Sequence, residues 1–113
     1  PLHALTLLND LSLLEASRAL AKRSITENQQ PQSRIPFLFR QVLSRDPTPD
    51  EQQLLVRQLE LARSYYNSSP EQARQFLDFG QLENKVTNNH VEIAAYMIVA
   101  NLVFNLDEAI SRE

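Results

Sequence analysis

Ile93-Ala94-Ala95-Tyr96-Met97-Ile98-Val99-Ala100-Asn101-Leu102-Val103-Phe104 decides the fold. Apart from Asn101 and the hydroxyl of Tyr96, the run is apolar whichever way a helix turns it. An amphipathic helix keeps a polar face for water, and a helix with none has to be surrounded by protein. The run is too short to span a bilayer. The reading is a central helix over about 90–106, with the rest of the chain packed around it. Asp107 to Arg112 either continues this helix or forms a last turn.

Working outward, the chain offers amphipathic helices to do the packing. Thr48-Pro49-Asp50-Glu51 combines an N-cap, proline at the first helical position and a capping-box glutamate, and starts a helix to about Asn67. Its inward residues are expected to be Leu54, Leu55, Leu59, Ala62 and Tyr66, leaving at most Tyr65 exposed. Ser69-Pro70-Glu71-Gln72 repeats the signal for a short helix stopped by Gly80, with Ala73, Phe76, Leu77 and Phe79 inward. Ser33 is read as the cap of a helix from Arg34 to about Arg45, with Pro36 in its first turn and Ile35, Leu38, Phe39, Val42 and Leu43 as its stripe. Asp46-Pro47 ends it. Asn9 and Asp10 can cap a helix from Leu11 to about Thr26, whose core stripe is Leu13, Leu14, Ala16, Ser17, Leu20 and Ala21. Arg18, Lys22 and Arg23 are placed on its outer face or toward its end. Leu2 to Leu8 makes a short first segment. The prediction is an all-α bundle of five to six helices over residues 1–113, a single domain.

Composition narrows function mostly by exclusion. The 113 residues are 42% hydrophobic and 22% charged, ordinary globular values. Eleven basic residues face fourteen acidic ones, without the basic surplus that nucleic-acid binding asks for. No polybasic run suggests a membrane surface. The absence of cysteine removes thiolate zinc, iron–sulfur and c-type haem attachment from this chain. A single glycine leaves little room for a phosphate-cradling loop. His3 and His90 lack HxxxH or HExxH spacing, so no metal and no cofactor is expected in this piece. No charged segment or cleavage site precedes Leu2, so the opening is not read as a signal peptide. A start inside an apolar pattern reads instead as a piece of a larger protein.

Few polar residues remain as site candidates. Asp107 and Glu108 are the sharpest, although neighbours on a helix point about 100° apart and make no facing acid–base pair. The structural reading is pairing with Arg34, Arg40 or Arg45. Asn101 and Asn105, one turn apart in the most apolar helix, are candidates for binding. A buried amide needs partners, so their structural role would be to clamp a neighbouring loop or helix end. Asn9 and Asp10 are explained by capping. Arg40, with Arg34 and Arg45, could meet an anionic ligand, or could simply form a solvated, ion-paired face.

Pro1-Leu2-His3-Ala4-Leu5-Thr6-Leu7-Leu8-Asn9-Asp10 resembles the opening of a family abundant in planctomycete bacteria. So does Arg34-Ile35, followed by Phe39-Arg40-Gln41-Val42-Leu43-Ser44-Arg45 and Pro47-Thr48-Pro49-Asp50-Glu51. Asn101-Leu102-Val103-Phe104-Asn105-Leu106-Asp107-Glu108-Ala109-Ile110 resembles its closing motif. This family is the domain of unknown function 1553, found in large exported proteins associated with cytochrome-c-type domains. Members often carry glycine where Ser44 stands, proline where Leu11 stands and tryptophan where Tyr96 stands. The resemblance implies the C-terminal part of an exported, periplasmic or cell-surface protein, with further domains upstream, and no defined reaction. The expected function is a non-catalytic module that docks on the upstream domain of the same protein or on a partner. The docking surface is expected to be an apolar patch along Leu2, Leu5 and Leu8, and self-association through exposed apolar surface is the other partner considered. The alternative is one part of a hydrolytic or carbohydrate-active site completed from upstream, lined by Asn105, Asp107 and Glu108 with Asn9 or Asp10.

Overall fold

The computed structural model describes the backbone of residues 11–78 and 89–111, with side chains described over 12–77 and 89–107. All regular structure among these residues is helical. Helix α1 spans Leu11–Glu27, a 3-10 turn Pro31–Ser33, α2 Arg34–Leu43, α3 Pro49–Ser68, α4 Pro70–Asp78 and α5 His90–Ser111. The expected all-α bundle around a central apolar helix is what forms. The expected first segment, residues 2–8, lies outside the described residues, as do Asn9, Asp10, Phe79 and Gly80.

Helix α5 is the axis. It packs against all four other helices, most extensively against α1 and α3, then α4 and α2. From Ile93 to Ala100 only Ile98 is more than marginally exposed, and Tyr96, Met97, Val99 and Val103 are fully buried. The helix also continues through Asp107 to Ser111. Leu14, Leu20 and Ala21 of α1, Ile35, Leu38 and Phe39 of α2, Leu55, Leu59, Ala62 and Tyr66 of α3, and Ala73 and Leu77 of α4 complete the core.

Local chemistry sets the ends of the helices. Thr48 and Glu51 form the capping box: Thr48 Oγ1 accepts from the Glu51 N–H at 3.2 Å, and Glu51 Oε1 accepts from the Thr48 N–H at 2.8 Å. Helix α2 ends two residues before the expected Arg45, because Ser44 turns left-handed, with φ 60° and ψ 29°, and its N–H closes on the Arg40 carbonyl at 3.0 Å. A side chain at such a position costs about 1 kcal/mol relative to glycine.

Four expectations about side chains are corrected. Arg18 is not on the outer face of α1: it is 5% exposed, one turn from Leu14 and Ala21, with Ser17 and Ser24 also buried beside this stripe. Its long aliphatic stem lets it run through the packed layer. Ala16, placed in the core stripe, is exposed, because burying Arg18 rotates α1 away from it. Leu54 is 50% exposed, since the Leu55–Leu59–Ala62–Tyr66 stripe already faces the core and residue 54 stands about 100° from Leu55. Ser33 makes no side-chain cap. Its backbone is already helical (φ −90°, ψ −11°), because the 3-10 turn delivers the chain into α2, with the Ser33 N–H on the Gln30 carbonyl at 3.0 Å.

Candidate functional site

The most developed polar constellation lies where α2, α3 and the first turns of α5 meet. Arg63, set one turn after Leu59 on α3, donates through Nε to both carboxylate oxygens of Glu92, at 3.0 and 3.1 Å. Its Nη2 also donates to Oε1 of Glu92 and reaches the Tyr96 hydroxyl at 3.4 Å. From α2, Arg34 Nη1 comes to 4.0 Å from the same carboxylate, while its Nε donates to the Asn28 carbonyl at 2.9 Å. Both guanidinium carbons stand 5.7 Å from the centre of the Tyr96 ring, a cation–π distance. Tyr96 itself is fully buried.

The electrostatics of this cluster are those of a clamp. Glu92 sits in the first turn of α5, where the helix dipole favours a negative charge. Its hydrogen bond and charge raise the pKa of Arg63, against the opposing effect of burial. Tyr96 and, more weakly, Glu60 on α3 act on Arg63 in the same direction. The arrangement ties three helices together around one aromatic ring.

The residues singled out from sequence are not brought together as a site. Arg40 pairs with Asp46 at 2.7 Å. Arg45 binds both oxygens of Glu51, at 2.9 and 3.0 Å, and lies 4.8 Å over the Phe39 ring. Arg34 belongs to the Glu92 clamp. The three arginines of this segment therefore have three separate partners. The expected pairing of Asp107 with Arg34, Arg40 or Arg45 does not form, because each arginine is taken by an acid nearer to it, and Asp107 is exposed. The side chain of Glu108, like Asn9 and Asp10, lies outside the described residues. The Arg45 guanidinium beside Glu51 holds that carboxyl at about 2, below its ordinary 4.5, with the Thr48 N–H adding to the effect.

Asn101 and Asn105 turn toward each other rather than toward a neighbouring loop. Asn105 Nδ2 donates to the Asn101 carbonyl at 2.9 Å and to Asn101 Oδ1 at 3.3 Å. Asn101 is 1% exposed, and its own Nδ2, like Ser17 Oγ on α1, is buried without a hydrogen-bond partner among the described residues. Among the described residues the two amides make no clamp on a neighbouring element: the spacing of four residues lets the second amide reach back along its own helix.

Sequence reasoning missed Arg63 and Glu92 altogether. They are 29 residues apart, and nothing in the sequence pairs them. The available signal was positional: an arginine next to the core stripe of α3 and an acid in the first turn of the one helix lacking a polar face.

The surface adds one feature. Leu54, Leu61 and Tyr65, exposed by 50%, 59% and 41%, recur at spacings of seven and four along α3 and so share one ridge. Tyr65 is held in place. Its ring meets Tyr66 edge-on, 5.1 Å between centroids, Tyr66 stacks on Phe76 at 6.0 Å, and the Tyr65 hydroxyl donates to Gln72 Oε1. Burial pushes the Tyr66 hydroxyl up to about 12.

Among the described residues no three His, Asp or Glu side chains gather at a metal-binding distance, and no helix is long and apolar enough to cross a membrane. Fold and polar contacts together define an all-helical module whose charged side chains hold its own helices in place. The chain belongs to the PSD1 family, a protein of unknown function (DUF1553), whose model matches residues 1–59. That span takes in the opening stretch and the Arg34–Glu51 region, while the resemblance over 101–110 lies beyond it. No curated protein and no solved structure matches the chain.

Proposed function

We propose that this chain is a non-catalytic helical module that works by protein contact, docking against the rest of a larger exported protein. The α3 ridge of Leu54, Leu61 and Tyr65 carries this reading. Its aromatic member is already ordered by Tyr66 and Gln72, so a partner would bind it at a low cost in side-chain entropy. Three side chains are far short of the roughly 800 Å² per partner of a free-standing complex. This favours a partner joined to the same polypeptide, where the linkage supplies a high effective concentration. Export and the upstream domain rest on the family resemblance alone.

The competing reading, part of a composite hydrolytic site, draws on Asp107, which is exposed at the end of α5, while the Asn105 amide is occupied by Asn101.

The chain contains no cysteine, which makes the test direct. Leu61→Cys is labelled with a maleimide in the isolated chain and in the longer protein, with Gln53→Cys as the exposed control. Docking on this ridge slows labelling of residue 61 by on the order of tenfold in the longer protein and leaves residue 53 unchanged. Equal rates at residue 61 in both contexts sink the proposal.

A further inference from the structure

We draw no further inference here: the strongest candidate beyond the α3 ridge, the open groove of about 240 Å³ between α1 and α2 lined by Ala16, Ala19, Arg23, Val42 and Phe104, is an apolar surface for which nothing in the structure shows what covers it.

Discussion

The two halves of α5 handle polar groups in opposite ways. In its first turns, Glu92 and Tyr96 are held from outside, by Arg34 of α2 and Arg63 of α3. Further along, Asn105 donates to Asn101 within the same helix, and the Asn101 amide nitrogen has no partner among the described residues. A polar contact between distant segments can form only in one packing arrangement, so it specifies that arrangement. A contact between residues four apart on one helix forms wherever the helix goes and specifies nothing about its neighbours. The first half of α5 therefore sets how α2 and α3 sit against the axis. The second half relies on apolar packing.

Four substitutions or titrations sharpen or break this contrast. The largest effect is expected for Tyr96→Ala. Removing a fully buried aromatic that carries two guanidiniums should lower unfolding free energy by about 3–5 kcal/mol in urea melts. A loss under about 1 kcal/mol would mean that the ring is not the centre of the clamp.

Next comes Glu92→Gln, which leaves Arg63 and Arg34 facing an uncharged amide. Both partners in the ion pair are about a third exposed, so solvent screening limits the loss to about 1–2 kcal/mol. A double-mutant cycle with Arg63→Met should return a positive coupling, and strict additivity would remove the clamp from the account.

The local pair on the second half should behave differently. Asn101→Leu deletes the buried amide nitrogen, which has no partner among the described residues, and the longer Oδ1 contact at 3.3 Å, while leaving the Asn101 backbone carbonyl that Asn105 uses at 2.9 Å. The expected change is a gain of up to about 1 kcal/mol. A loss beyond about 2 kcal/mol would show that Asn101 does specify packing, and the contrast between the halves would fail.

The smallest effect belongs to the exposed Arg45–Glu51 pair, which serves as a surface reference. Glu51 titrates at about 2 in the folded chain against 4.5 ordinarily. Its contribution is complete above about pH 4.5 and fades as pH falls toward 2. Comparing melts of wild type and Glu51→Gln across that window should show a small difference that closes at acid pH. A difference that widens as pH falls would reverse the sign of the linkage.

How much of this was legible beforehand follows from how far apart the interacting residues are. The Thr48–Glu51 box, the core role of Tyr66, the exposure of Tyr65 and the central place of α5 all depend on spacings of a few residues, and each is as the pattern indicated. Asp107 does not pair with Arg34, Arg40 or Arg45, because the choice among acids depends on which helix ends are neighbours in space. Arg18 misled for a related reason, since a charge reads as solvent-facing until its neighbours in the bundle are known.

The amino-acid sequence by itself determined that the chain is helical, where most helices begin and which helix lies at the centre, because capping chemistry and apolar periodicity act within one or two turns. Tertiary structure alone decided that Arg34 and Arg63 meet at Glu92 over Tyr96, that Arg18 is buried and that Leu54 is not. Those outcomes depend on the rotation of each helix about its own axis, which is settled only when several helices compete to cover the same core.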